Sequence, residues 1–216
     1  MLGKLRVSQL NCLAVNNSLE EISSNMDKLQ RNPIEQMPWP EFSYRPKASF
    51  SIAYCEDAIL IKYFIIENYL RAFWQTSNSP VFEDCCVEFF ISFDQDEEYY
   101  NLEFNCIGTC LFAFGKKKSG RQLITEEIIR KIRRLSNIKS FVEGEGRKVS
   151  WELTVVLPFE IFSYHKITSL KDRYCNGNFY KCGDLLPEPH YLSWNHVKSA
   201  SPDFHLPAFF GNIHFE

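Results

Sequence analysis

Two glutamates stand inside segments that are otherwise apolar and aromatic: Glu88 in Cys85–Phe93 and Glu103 in Tyr99–Cys106. A carboxylate in such a strand is either solvated on an outer face or set into a concave site. Paired carboxylates can hydrolyse a glycosidic bond when one stays protonated and their separation suits direct attack or an intervening water. They can equally accept hydrogen bonds from sugar hydroxyls with no bond broken. Glu83 and Asp84 complete the acidic candidates. The histidines, His165, His190, His196, His205 and His214, fall late in the chain, and His190 and His205 stand beside prolines. They read as rim residues or ligand contacts rather than as catalytic or metal-bound groups. There is no G-x-S-x-G elbow, no H-E-x-x-H and no Gly-rich phosphate loop, so nucleotide-dependent chemistry is not expected.

Eight cysteines contain no C-x-x-C pair, and their spacing does not match the common zinc patterns. They are expected to be buried, reduced thiols, with disulfides as the alternative if the protein is exported. The basic residues gather in Lys116-Lys117-Lys118, Arg121, Arg130, Lys131, Arg133 and Arg134, which read as a turn and a solvated helix face. A net charge of −3 argues against a general nucleic-acid or anionic-membrane binder. No run approaches the ~18 apolar residues of a membrane-spanning helix. The first residues lack the apolar core of a secretory signal, giving a cytoplasmic default unless a leader has been removed. The unusual number is 15% aromatic residues, which build both strand cores and binding faces.

The elements that must position these groups are mostly strands. Ser18-Leu19-Glu20-Glu21 is a capping box, followed by Leu19, Ile22, Met26 and Leu29 at helical spacing. Pro33, Pro38 and Pro40 then hold the chain extended, so residues 1–47 are expected as a helix and an extended segment packed on the body. Period-two patterning predicts strands over Ala48–Tyr54, Ala58–Glu67, Cys85–Phe93, Tyr99–Cys106, Thr109–Phe114 and Val149–Leu157. His190–Val197 and Phe210–Phe215 are expected as the last strands. Ile128, Ile129, Ile132 and Leu135 predict a helix over Thr125–Leu135, and Asn176-Gly177 predicts a turn in a loop-rich Cys175–Pro189. With no repeat and no flexible linker, the expectation is one domain over residues 1–216. Its class is all-β, an antiparallel β-sandwich of jelly-roll or immunoglobulin-like type with one or two short peripheral helices.

Four stretches in order carry a resemblance: Pro80–Phe90, Tyr100–Asn105, Leu192-Ser193-Trp194 and Asp203–Ile213. Together they resemble the family 9 carbohydrate-binding modules, in particular the stand-alone family 9-like branch of bacteria, over about Ala48 to Phe215. The resemblance implies a sandwich that holds sugar between two aromatic rings, whose positions fall on Phe82 and Phe204. It also matches Glu88 to the family's strand glutamate and Asn105 to its asparagine, and places Glu103 where the family carries an arginine. The segments Asn178–Asp184 and Pro189–Trp194 resemble the family 9-like branch, and would bring Lys181, Asp184 and His190 near the strand ends. Trp194 and, at the rim, His205 complete the expected ligand contacts. Structural calcium is a possibility the resemblance carries, with no ligand set assigned and no other cofactor expected.

The expected function is thus non-catalytic carbohydrate binding in support of polysaccharide or oligosaccharide use. Neutral glycans fit the charge balance better than polyanionic ones. The alternatives are a glycoside hydrolase using Glu88 and Glu103, and a haem-binding or interaction domain, for which Met1, Met26 and Met37 are poorly placed. The sugar and the oligomeric state stay open.

Overall fold

The computed structural model describes residues 3–11, 14, 16–94, 97–144 and 146–216. Met1, Leu2, Cys12 and the centre of the acidic 94–98 loop, all part of the sequence reading, lie outside the described residues. The chain runs β1 (Lys4–Val7), α1 (Leu19–Met26), β2 (Asn32–Pro33), β3 (Lys47–Tyr54), β4 (Ala58–Glu67), β5 (Cys86–Ser92), β6 (Tyr99–Asn105) and β7 (Cys110–Gly115). It continues through β8 (Gln122–Leu123), α2 (Glu126–Ile129), β9 (Arg133–Glu143), β10 (Gly146–Pro158), β11 (Arg173–Cys182), β12 (Tyr191–Ser193) and β13 (Gly211–Phe215).

These strands form two sheets. The larger has the order β1-β13-β11-β5-β6-β7-β8, with β12 also on β11, and the smaller has β2-β3-β4-β10-β9. Among the described residues, every pairing between these strands is antiparallel except that of β1 with β13. The β-sandwich expected from period two is therefore the fold. Successive strand residues face opposite ways. Val87, Phe89 and Ile91 of β5 thus join Leu102 and Phe104 of β6 in the core, against Phe50, Ile61, Tyr63 and Trp151 of the smaller sheet. At its centre Phe179 stacks on Phe50, with ring centroids 3.6 Å apart, and on Phe89 at 4.6 Å.

The capping box forms as read. Ser18 Oγ accepts from Glu21 N at 3.1 Å, and Glu21 Oε2 accepts from Ser18 N at 3.1 Å. Ile22 and Met26 then pack on Ala53, Leu60 and Val156, covering the outer face of the smaller sheet.

Three expectations change. The helix over Thr125–Leu135 is one turn, α2, and the chain is extended from Arg133 onwards as β9, an edge strand paired to β10 over eleven register positions. One helical turn followed by an outer strand mimics helical spacing, because Ile129 and Ile132 are the buried pair in both readings. Asn176-Gly177 is not a turn but lies inside β11, opposite Asn212 and Gly211. A Cβ at Gly177 would stand 2.5 Å from the Phe90 carbonyl oxygen, so this glycine serves close strand approach. Finally, Cys55 is disulfide-bonded, whereas Cys85, Cys86, Cys106, Cys110, Cys175 and Cys182 are free and buried.

Candidate functional site

The same alternation that sends Phe89 inward sends Cys86, Glu88 and Phe90 of β5 to the outer face of the larger sheet. Asn101 and Glu103 of β6, and Tyr180 and Cys182 of β11, join them there. This face is not left to water. Trp39, Val197, Phe204 and Phe210, from chain on either side of the strands, roof it with a second apolar cluster that includes Phe90, Tyr99 and Tyr180. Where the roof stops, a cavity of about 130 Å³ remains. Its floor is Glu88, Glu103 and Cys182, its walls are Phe82, Tyr191 and Phe204, and Asp184, Pro202, Asp203, His205 and Lys118 complete the lining.

The floor is an acid pair. Glu88 and Glu103 are directly opposed across the β5–β6 ladder and are 3% and 4% exposed. Glu103 Oε1 accepts from Asn101 Nδ2 at 2.8 Å, while its buried Oε2 has no hydrogen-bond partner. Glu88 Oε1 accepts from the Cys182 thiol at 3.1 Å, a weak donor. Burial, reinforced by Glu103, holds the Glu88 carboxyl well above the usual carboxylate range. Burial also pushes Glu103 up to about 7, although Asn101 and Arg121 pull it down. Asp184 is pushed up to about 6 by burial, against the pull of Lys118. At neutral pH the floor therefore carries both a proton donor and an open acceptor, Glu103 Oε2.

The walls are aromatic but not equivalent. Phe82 sits on a single 3-10 turn, Val81–Glu83, and its carbonyl accepts from Asp184 N at 3.0 Å, tying the turn to the end of β11. Its ring is only partly buried. Phe204 is 8% exposed, with one face stacked on Tyr180 at 4.1 Å and 12°. The Tyr180 hydroxyl also donates to the Phe204 carbonyl at 3.2 Å. Phe204 thus offers little free face, and the more accessible rings are Phe82 and Tyr191. His205 Nδ1 pairs with the Tyr99 hydroxyl at 2.9 Å, leaving Nε2 as the ring's other polar atom. Burial, with Arg121 and Lys118, lowers this imidazole to about 3, so it is neutral.

Of the expected contacts, Phe82, Glu88, Glu103, Asp184, Phe204 and His205 converge on this cavity. Asn105, Lys181, His190 and Trp194 do not line it. Asn105 Nδ2 donates to the Trp74 carbonyl at 2.8 Å and to Asp84 Oδ2 at 3.0 Å, and its Oδ1 accepts from Thr109 N at 2.9 Å. That uses its amide to hold two loops. Lys181 lies on β11 between Tyr180 and Cys182, so its side chain enters the core. There Nζ meets Glu67 Oε2 at 3.0 Å, His190 Nε2 at 2.9 Å and its neighbour's carbonyl at 2.8 Å. Trp194 packs edge-on against Phe50 and Phe179 and lies over Gly211, where a Cβ would come within 2.5 Å of its ring.

Sequence reasoning gave no role to Tyr191, Asp203 or Lys118. Tyr191 and Asp203 fall inside stretches that carried the family resemblance, which was the available signal. Lys118 belongs to the basic turn read as solvated surface, and it is indeed exposed. Arg121 also enters, held behind the acid pair by Asn101, Tyr99 and Gly115. A larger concavity of about 640 Å³ lies against the smaller sheet, but Arg31 already covers the Phe64 ring there at 3.7 Å.

Among the described residues, Cys86, Glu88 and Cys182 have donor atoms close enough to share an ion. Two sulfurs and one carboxylate do not fit calcium, which takes six to eight oxygens. No described helix is long and apolar enough to cross a membrane.

A crystal structure of a candidate carbohydrate-binding protein from Bacteroides uniformis is similar over 100% of both chains, with 36% identity and a TM-score of 0.90. A family 9 carbohydrate-binding module from Caldicellulosiruptor kristjanssonii, in complex with glucose, matches at TM-score 0.56 and 10% identity, over 99% of this chain and 96% of that one. Its cellotriose complex matches at 0.54 and 12%, over 99% and 94%. These last two likenesses speak to the fold alone. No curated protein matches. The model of carbohydrate-binding family 9 matches residues 18–215, nearly the whole sandwich with its acid pair and aromatic walls, and the chain belongs to that family.

Proposed function

We propose that the chain is a non-catalytic carbohydrate-binding protein whose ligand enters the cavity over Glu88 and Glu103. The observation that carries this reading is the combination of a buried acid pair, one of whose oxygens, Glu103 Oε2, is unspent, with aromatic walls in one cavity of the large sheet. A sugar ring presents apolar C–H faces and hydroxyl edges. Phe82 and Tyr191 supply surface for the former, and Glu88, Glu103, Asp184 and His205 supply acceptors and donors for the latter. The glucose- and cellotriose-bound relatives of the same fold support the ligand class. At 130 Å³ the cavity is well below the ~300 Å³ floor of drug-sized pockets, so it accommodates part of one sugar unit rather than a chain. Few desolvated contacts imply modest affinity.

Glycoside hydrolysis is the weaker reading. It needs carboxyl groups flanking the scissile bond. Glu88 and Glu103 instead rise side by side from one sheet face as Cα partners, so both would meet the ligand from below. Titration calorimetry with mono- and disaccharides, on wild type and Phe82→Ala, tests binding. Saturable heat that is weakened at least tenfold in the variant is expected. Identical isotherms, or release of chromophore from aryl glycosides lost in Glu88→Gln, would overturn the proposal.

A further inference from the structure

The charge of the cavity is lopsided. Four carboxyl groups line it, Glu88, Glu103, Asp184 and Asp203, against one ammonium, that of exposed Lys118. Buried acids are ordinarily paired with a cation or fully hydrogen-bonded. Here Glu103 Oε2, on a side chain 96% buried by its 4% exposure, has neither.

The protein holds a guanidinium close by but bonds it to neither carboxyl of the pair. Arg121 Nε donates to Asn101 Oδ1 at 2.7 Å, Nη2 to the Tyr99 carbonyl at 2.7 Å, and Nη1 to the Gly115 and Lys117 carbonyls at 2.9 and 3.2 Å. Its plane also stacks over the Tyr99 ring at 4.3 Å. Locked in this way, it polarises Asn101 toward Glu103 but cannot reach into the cavity. Asp203 Oδ1 is occupied by His205 N at 2.9 Å, and the neutral His205 ring adds no charge. In the free protein a proton held by the acid pair stands in for a cation, and a ligand that brings its own positive charge can displace it.

Resting on the sugar-binding reading above, we propose that the preferred ligand is a cationic amino sugar, a pyranose whose free ammonium group sits on the Glu88–Glu103 floor. An ammonium brings three donors and a charge to a floor whose Glu103 Oε2 is desolvated and unspent, where a hydroxyl brings one donor and no charge. The aromatic walls favour a ring over a bare amine. The same field disfavours uronic acids and sulfated sugars, because their anions would enter a site already short of positive charge.

The test is titration calorimetry on the full chain at pH 6.5 with methyl glycosides in gluco and galacto configuration. The panel carries a free amine at position 2, 3, 4 or 6, its N-acetyl form, the neutral parent and the uronate, with ethanolamine as the ringless amine. At least one amino sugar is expected to bind tenfold or more tighter than its neutral parent. N-acetylation should remove that gain, and the uronate should give no heat. Glu103→Gln, checked for folding by circular dichroism, should bring amino and neutral sugars within about threefold, and Asp184→Asn provides a second variant. Neutral parents binding as well as every amino sugar would overturn the inference while leaving sugar binding intact. Ethanolamine equal to the amino sugars would overturn the ring requirement. Silence from the whole panel would overturn both readings.

Discussion

Glu88 and Glu103 are Cα partners across the β5–β6 ladder, on the outer side of the sheet, and among the described residues neither forms an ion pair with a lysine or arginine. Like charges directly opposed on one sheet face destabilise it. The sheet tolerates the pair by holding a proton, and this makes stability depend on pH with a definite sign. Glu103 moves from an ordinary 4.5 to about 7 in the folded chain, and Glu88 moves in the same direction. A carboxyl raised on folding binds its proton more tightly when folded. Its stabilising contribution is complete below about pH 4.5 and is lost as pH rises through 7. For Glu103 the full swing is about 3 kcal/mol. His205 and His190, lowered to about 3 and 2, act oppositely and cost stability as pH falls below 6.5. The informative measurement is therefore a difference curve. Glu103→Gln should exceed wild type in urea midpoint at pH 8 and lose that advantage by pH 4.5. Parallel curves would refute the shared-proton floor.

Phe82 and Phe204 should separate by what they damage. Phe82 is partly exposed on its 3-10 turn, so Phe82→Ala should weaken sugar binding while leaving thermal stability within about 1 kcal/mol. Phe204 is nine-tenths buried and stacked on Tyr180, so Phe204→Ala should cost about 3 kcal/mol. Tyr191→Phe should keep the wall but lose any hydroxyl contact. Paired melting curves and titrations read this division directly, and a stable Phe204→Ala with abolished binding would assign the main stacking face to Phe204 instead.

Much of this architecture was legible because it is local. The capping box, β3 to β6 and the outward face of Glu88 all follow from spacing within ten residues. What escaped depends on pairing between distant segments. β9 hid because one turn of helix followed by an edge strand repeats the helical spacing of its isoleucines. β11 hid because Asn176-Gly177 has turn chemistry, and only contact with the Phe90 carbonyl reveals a packing glycine. Lys181, which the family resemblance set near the strand ends, lies on the same strand. Once β11 is a strand, parity puts Lys181 in the core and Cys182 in the cavity. The acid pair illustrates the limit from the other side. Each glutamate was visible, but their direct opposition is set by the hairpin register.

Asn105 makes a related case, since the family resemblance gave it to the ligand and the fold gives it to two loops. Its amide carries three hydrogen bonds, to Trp74, Asp84 and Thr109. Asp84 is fully buried and also meets Arg71 at 3.1 Å. Asn105→Ala should cost about 2–4 kcal/mol by leaving these partners unpaired. The folded fraction should titrate sugar with affinity within threefold of wild type. A stable variant with lost affinity would return Asn105 to the ligand.

The Lys181 ammonium tests how far the core depends on charge. Burial pulls its pKa down, but the Glu67 carboxylate beside it pushes it up, and it ends raised. Glu67 in turn accepts from Trp151 Nε1 at 2.5 Å, and His190 Nδ1 donates to the Glu188 carbonyl, so its Nε2 faces Lys181 as an acceptor. Removing one member of such a set strands the other. Lys181→Met should cost about 3–5 kcal/mol, because the Glu67 carboxylate remains buried without its cation. Adding Glu67→Gln should recover most of that loss, since the neutral amide no longer needs a counter-charge while still facing Trp151. Denaturant unfolding of the two single variants and the double variant measures the coupling directly. A coupling below about 0.5 kcal/mol would show that Lys181 is held by packing alone.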